Sequence, residues 1–284
     1  ASRLPVPYHL LPALLRFPQL RLRDKASVAR LMLAAMRWAD KSEQADSTAE
    51  ELSFADLCKR ETVSPRAMQM LIEPTVVSAC NASIDAVDAS YGLMILWEVL
   101  CRDRFGYRLG IPTAPLATVF TDPTVSHLEE RGSSVMLRTA ATAVNGHDDG
   151  SVEVVTRSGQ SFRADSCVVA VPVEALRELH PPDLVSERFK RTRSAVRFGS
   201  IVAVHLWFDR PVDCPKALCL ICARPHWVFN RTRVYGEAPS APTCLTTVTS
   251  ADPDLAAMCP EAIRKAVIED LSQRLPDVRS ATLI

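Results

Sequence analysis

The sequence predicts a mixed α/β fold, with helices over the first 110 residues and two sets of strands after them. Three observations carry this expectation. Leu22, Ala26, Ala29, Leu33 and Met36 recur at steps of three and four, the period of one helix face. Between residues 135 and 162, short alternating runs are separated by Asn145-Gly146, Asp149-Gly150 and Ser158-Gly159, dipeptides that favour hairpins. The run from Ile201 to Val212 is nearly all apolar and β-branched until Asp209-Arg210-Pro211 breaks it, as in a buried strand meeting a turn.

In chain order, residues 8–40 read as one helix. Arg16, Arg23, Arg30 and Arg37, seven apart, would give it a basic stripe. Ser42 to Glu51 is polar and acidic, a loop or a helix start. Phe54 to Lys59 and Pro65 to Ala82 read as helices, with Ser64-Pro65 suiting a cap and a first helical position. Asp88 to Cys101 is amphipathic and ends in the glycine-bearing stretch 102–110. Pro112 and Pro115 mark a loop. Thr121 to Arg131 reads as a short helix, capped near Asp122-Pro123 and stopped by Gly132. Val135 to Leu137, Ala141 to Val144, Val152 to Thr156 and Ser161-Phe162 alternate like strands. Cys167 to Val171 reads as a buried strand ended by Pro172, with a helix over Val173 to Leu179. Trp227 to Arg231 and Thr246 to Asp252 read as strands, and residues 260–275 as a last helix.

Composition narrows the function classes. Lys+Arg and Asp+Glu both count 33, which leaves no global charge to attract nucleic acid. Residues 1–40 are locally basic, with seven Arg/Lys against two Asp. Nine cysteines without regular spacing read as the thiols of a reducing, cytoplasmic protein rather than a disulfide framework. Cys167, Cys219 and Cys222 sit in apolar, strand-like runs, where a thiol packs as a small hydrophobe. No apolar run reaches the ~18 residues of a membrane span. The chain opens in mid-pattern and stops at 281–284 as a strand begins, so both ends read as cuts.

Trp207, Phe208 and Trp227 suit either the core of a sheet or a groove for a long apolar chain. His205, in mid-strand, reads as a buried histidine with its hydrogen bonds satisfied. Cys219-Leu-Ile-Cys222 has zinc-like spacing, but no second pair lies at a suitable distance and no metal is expected. No nucleophile elbow, metalloprotease helix or phosphate-cradling loop occurs, and no catalytic residue can be assigned.

Several collinear segments carry a resemblance. Leu11-Pro-Ala-Leu-Leu-Arg-Phe-Pro18, Glu73-Pro-Thr-Val-Val-Ser-Ala-Cys-Asn81 and Ile111-Pro-Thr-Ala-Pro-Leu-Ala-Thr-Val-Phe120 come first. Arg138-Thr-Ala-Ala141, Val168-Val-Ala-Val-Pro172, Leu206-Trp-Phe-Asp-Arg-Pro211, Trp227-Val-Phe-Asn-Arg231 and Ser250-Ala-Asp252 follow in the same order. Together they resemble the squalene-associated FAD-dependent desaturases, the branch of the flavin amine oxidase superfamily that includes hydroxysqualene dehydroxylase. That resemblance implies part of a Rossmann-like FAD domain over 111–185. It also implies a substrate domain whose helices fall in 1–110 and whose sheet falls in 186–284.

It implies FAD as cofactor, with Ala141, Ala170 and Pro172 beside it, and an isoprenoid lipid substrate contacted by Asn81 and Trp227. The expected activity is dehydroxylation of a C30 isoprenoid in squalene or hopanoid synthesis. A carotenoid-type desaturase, an amine oxidase and an inactive, truncated lipid-binding fragment stay open beside it. Arg16, Arg23, Arg30 and Arg37 suit peripheral contact with anionic lipid at the inner membrane face. The family's Gly-x-Gly-x-x-Gly loop is not among the nine glycines, so the chain reads as the interior of a longer protein.

Overall fold

The computed structural model describes residues 3–42, 52–179, 196, 198–238 and 240–284. The chain divides into two units, residues 1–114 with 199–284, and residues 115–198. Most of the polar stretch 42–51 lies outside the described residues.

The first unit begins with a 3-10 turn, Tyr8–Leu10, that leads into α1 (Leu11–Arg16), followed by α2 (Leu22–Ser42). The one helix expected over 8–40 is therefore two. Pro18 divides them: it offers no N–H to a helical ladder and drives Phe17 to extended backbone, with ψ at 109°. Asp24 anchors the restart. Its carboxylate accepts from the Ser64 hydroxyl and the Arg21 N–H, bonds that hold its pKa below the ordinary carboxylate value.

Helix α3 (Phe54–Arg60) is capped by Ser53, and α4 (Pro65–Ala67) by Ser64, as its Ser-Pro pair predicts. A π-helical turn, Met68–Ile72, joins α4 to α5 (Glu73–Cys80). The ladder widens just before Pro74, which cannot donate to a carbonyl one turn back. Helix α6 (Ala89–Leu96), capped by Asp88, continues through a second π turn to Arg102. Leu31, Ala35, Phe54, Ile72, Val76 and Leu96 are fully buried among these helices. Burial pushes the Cys58 thiol up to about 12 and the Cys101 thiol to about 11, so both pack as neutral groups.

In the second unit, α7 (Asp122–Glu129) is entered through a π turn at Ala117–Thr121, earlier than the sequence suggests. An antiparallel meander follows: β1 (Ala141–Gly146), β2 (Val152–Thr156) and β3 (Ser161–Ala164). Asp149-Gly150 and Ser158-Gly159 make its turns, both glycines at positive φ. Asn145-Gly146 does not turn; it pairs with Glu153 and Val152 inside the ladder. Val135 to Leu137 is not a strand either, because the chain turns at Leu137 and Arg138, the latter at φ 58°.

Cys167 to Val171 corrects another expectation. It is unpaired and largely exposed, with Val168 at 91%. A buried strand needs hydrogen-bonded neighbours and covered faces, and no strand pairs with this one among the described residues. Pro172 then precedes α8 (Val173–Glu178).

The first unit resumes with β4 (Ile201–Trp207), β5 (Ala217–Cys219) and β6 (Trp227–Asn230), then α9 (Arg231–Val234) and β7 (Cys244–Ser250). The strands form one antiparallel sheet in the order β4-β7-β6-β5. Arg231 opens α9 rather than ending a strand, because the Asn230 side chain accepts from the Arg233 N–H and caps it there. After α10 (Pro253–Ala256), α11 (Pro260–Arg274) covers one face of the sheet, burying Leu206, Val228 and Leu245 against Val267 and Leu271.

The long run 201–207 is thus an edge strand covered on one face only. Ile201 and Trp207 are 59% and 52% exposed. Its apolar outer face imitates the pattern of two-sided burial. Among the cysteines, all nine are free; Cys219 is half-buried, while Cys167 and Cys222 are exposed rather than packed.

Candidate functional site

The uncovered sheet face is set by strand alternation. Register places Trp207 beside Cys244, His205 beside Thr246 and Phe229, and Ala203 beside Val248 and Trp227. Cys219 pairs with Trp227 at the far edge. Trp227 and Phe229 stack with ring centroids 6.1 Å apart, and Trp207 lies at the same distance from His205. His205 is exposed here, not buried; its Nδ1 lies 2.9 Å from the Thr246 hydroxyl. Of the three aromatics expected in core or groove, Phe208 is core, while Trp207 and Trp227 belong to the open face.

Helix α5 ends against this sheet. The Trp227 indole N–H donates to Ser78 Oγ at 2.9 Å, and the Ala251 N–H donates to Asn81 Oδ1 at 3.0 Å. Asn81 stops the helix in the left-handed conformation, φ 50°, which asparagine tolerates better than most residues. Gly199 is required beside it, since a Cβ there would stand 2.5 Å from the Asn81 carbonyl oxygen. The structure therefore brings Asn81 and Trp227, 146 positions apart in sequence, to one junction.

Next to the junction lies a cleft of about 490 Å³, lined by Glu73, Pro74 and Val77 of α5 and by Cys219, His226 and Asp252 of the sheet side. Arg224 Nε contacts the Asp252 carboxylate at 2.7 Å. The other Asp252 oxygen caps α10 through the Leu255 N–H. Burial raises the Cys219 pKa, so this thiol is not a ready nucleophile. His226 Nδ1 accepts from the Ser250 N–H at 3.3 Å, which places the proton of the neutral ring on Nε2.

Burial lowers the His226 pKa below 6.5, against the opposing pull of Asp252 and Glu73. Neutral His226 is thus favoured by the fold. Its contribution is complete above the ordinary value of 6.5 and is lost as pH falls through the lower folded value. Urea midpoints measured from neutral to mildly acidic pH should fall on acidification, and H226Q should flatten that slope. An unchanged slope in H226Q would assign the acid sensitivity elsewhere.

Sequence reasoning missed His226, Glu73 and Ser78 as neighbours. Glu73 and Ser78 lie inside a quoted motif and His226 precedes Trp227, but no local spacing reveals contacts across some 150 positions. Among the described residues, no group of three or more His, Cys, Asp or Glu side chains is placed to hold a metal.

In the second unit, Ala141 opens β1, the edge strand of the meander, at a register irregularity. It is exposed, as are Ala170 and Pro172 in the unpaired segment. No strand pairs with the outer edge of β1 among the described residues; the Ala140 carbonyl accepts from the Arg157 N–H at 2.8 Å. An unpaired strand edge of this kind presents N–H and C=O at fixed spacing, the pattern by which a purine edge can be hydrogen-bonded. The basic residues distribute differently from a single stripe: Arg16 belongs to α1 and the other three to α2. Arg30 donates to the Thr62 carbonyl at 3.2 Å, and Arg37 lies 3.9 Å from Glu61.

Helices and an antiparallel sheet in one unit, with a smaller strand-and-helix unit beside it in sequence, form an arrangement shared with solved oxidoreductases. A putrescine oxidase shares it at TM-score 0.71 and 14% identity, over 92% of this chain and 60% of that one. An oxidoreductase from Methanosarcina mazei does so at TM-score 0.70 and 14% identity, over 95% and 60%. The chain belongs to the flavin containing amine oxidoreductase family, which residues 2–283 match; FAD is the cofactor that this membership and the oxidase neighbours support.

Among curated relatives, hydroxysqualene dehydroxylase from Zymomonas mobilis is 21% identical over 228 residues, 80% of this chain and 49% of that protein. The 15-cis-phytoene desaturase of Capsicum annuum is 29% identical over 89 residues, 31% of this chain and 15% of that protein. The chain thus spans about half, or less, of the length of these relatives. No helix among the described residues is long and apolar enough to cross a membrane.

Proposed function

We propose that the protein acts in FAD-dependent dehydroxylation of hydroxysqualene to squalene, a C30 isoprenoid step of squalene or hopanoid synthesis. The observation that carries this reading is the open sheet face, where Ala203, Trp207, Trp227, Phe229 and Val248 offer an aromatic and aliphatic wall without a carboxylate. Such a wall buries a hydrocarbon chain. The similarity to hydroxysqualene dehydroxylase over 80% of the chain supports it.

In the reaction the allylic C–O bond breaks, a C–H bond forms, and the hydroxyl leaves as water after taking up a proton. FAD, when bound, supplies the two-electron chemistry. The chain's own residues hold and orient. Trp227 and Phe229 cover the apolar chain, Asn81 shapes the pocket at the end of α5, and Ala141, Ala170 and Pro172 line the cofactor. In this reading 1–110 and 186–284 form the substrate domain, and 111–185 is the middle of the FAD domain. The enzyme works from the cytoplasm at a lipid surface.

Desaturation of a carotenoid precursor is the second reading, favoured by the 89-residue similarity to phytoene desaturases. Product analysis separates the two. Protein supplied with reduced FAD and hydroxysqualene should yield squalene without oxygen, and protein with oxidised FAD should leave phytoene unchanged. A polyene from phytoene, with no squalene from hydroxysqualene, would replace the first reading with the second.

A further inference from the structure

Helix α1 is apolar on both sides. Leu14 and Phe17 pack inward on Leu20, Val28 and Ala67. Tyr8, Leu11 and Leu15, at helical steps of three and four, face outward; Tyr8 is 57% and Leu15 53% exposed. A solvent-facing side of a helix is normally polar, so this exposure calls for a partner.

The loop after α6 adds to the same surface. The buried His9 ring lies 6.4 Å from the Tyr107 ring, joining the start of the chain to residues 105–109. There Phe105 and Leu109 are also exposed, and the Arg108 guanidinium stacks on Phe105 with its carbon 4.1 Å from the ring centre. Basic residues flank these side chains in sequence. Residues 3–25 carry five Arg/Lys against one acid, Asp24, which is buried. Arg16, Arg21 and Arg23 are exposed, and Lys25 Nζ holds the end of α1 through the Leu15 carbonyl at 2.5 Å.

We infer that this patch, α1 with the 105–109 loop, docks the protein on an anionic bilayer. The apolar side chains enter the headgroup boundary while Arg16, Arg21, Arg23 and Arg108 meet the lipid charge. The patch keeps Arg16 and Arg23 of the seven-residue arginine stripe and adds Arg21, Arg108 and the apolar side chains, while Arg30 and Arg37 engage Thr62 and Glu61. Docking by this patch deepens the isoprenoid reading, since a substrate of that class dissolves in bilayers. Vesicle binding requires neither flavin nor turnover, so failure of one does not imply failure of the other.

Co-sedimentation with phosphatidylglycerol vesicles tests the patch, with pure phosphatidylcholine vesicles as the uncharged comparison. The wild type should bind the anionic vesicles, and binding should weaken with salt. The pair L11S/L15S should lower partitioning at least about tenfold, and R16Q/R21Q about 25-fold, from roughly fivefold per basic residue. L137S, an apolar-to-polar change at a side chain 82% exposed in the second unit, should leave it unaltered, and urea midpoints of all variants should match the wild type. Absence of wild-type binding, or equal binding by the patch variants, would overturn the inference. So would a dimer that L11S/L15S dissociates in a protein that ignores vesicles, since a second copy would then cover the patch.

Discussion

Replacing Phe54 with alanine should destabilise the first unit by about 3–5 kcal/mol, the usual cost of emptying a fully buried aromatic site. Phe54 has no exposed surface and packs at the centre of the helical core. Its ring explains Gly92. A Cβ at residue 92 would stand 2.0 Å from the ring, far inside contact distance. In an ordinary helix interior, Gly→Ala would stabilise by about 1 kcal/mol. Here G92A should instead cost about 1–3 kcal/mol through overpacking. The two changes are coupled: once Phe54 is alanine, the helix preference returns, and G92A should become neutral or favourable. Urea denaturation of the two single variants and the double variant measures this. A G92A effect of the same sign and size in both backgrounds would refute the close packing of α3 on α6.

Trp227 should dominate substrate binding. W227A removes a wall of the proposed isoprenoid groove, the stack with Phe229 and the donor to Ser78. Burial of an indole against a hydrocarbon chain corresponds to about 2–3 kcal/mol, so kcat/KM should fall roughly 30–160-fold. The loss should appear as a raised KM with kcat little changed, because the wall contacts the hydrocarbon equally before and during the reaction. W227F keeps a ring but strands the Ser78 hydroxyl, and should cost about 1 kcal/mol, or about fivefold. Steady-state kinetics with hydroxysqualene decide. An unchanged KM in W227A would remove this face from the substrate path.

What the sequence shows about this molecule is mainly what local chemistry controls. Ser64 and Asp88 cap the helices their positions suggest, and Asp149-Gly150 and Ser158-Gly159 turn the meander. These features depend on residues a few positions apart. Pro18 was equally local, yet the apolar period running through residues 22–36 hid its break. Strand burial was less legible, because composition cannot distinguish a strand covered on both faces from an edge. Ile201 to Trp207 and Val168 to Val171 look alike in sequence; the first pairs on one side and the second with no strand among the described residues.

At the candidate site, Asn81 and Trp227 were visible as parts of motifs, and the structure joins them through α5 and the sheet. The cleft beside them was not visible. It depends on His226, Glu73 and Asp252, which meet only when residues 73 and 252 fold together. The arginine stripe was legible in the other direction. Its spacing was regular, but the regularity did not reveal the contacts that exposed Arg30 and Arg37 make with Thr62 and Glu61.

The central proposal is that the aromatic sheet face of this flavoprotein receives an isoprenoid. The most direct measurement is the visible absorbance of the FAD-bound protein during titration with hydroxysqualene. The account predicts a saturable change in the flavin bands, weakened in W227A and absent with putrescine. Flavin bands that respond to putrescine and remain still with hydroxysqualene would contradict it.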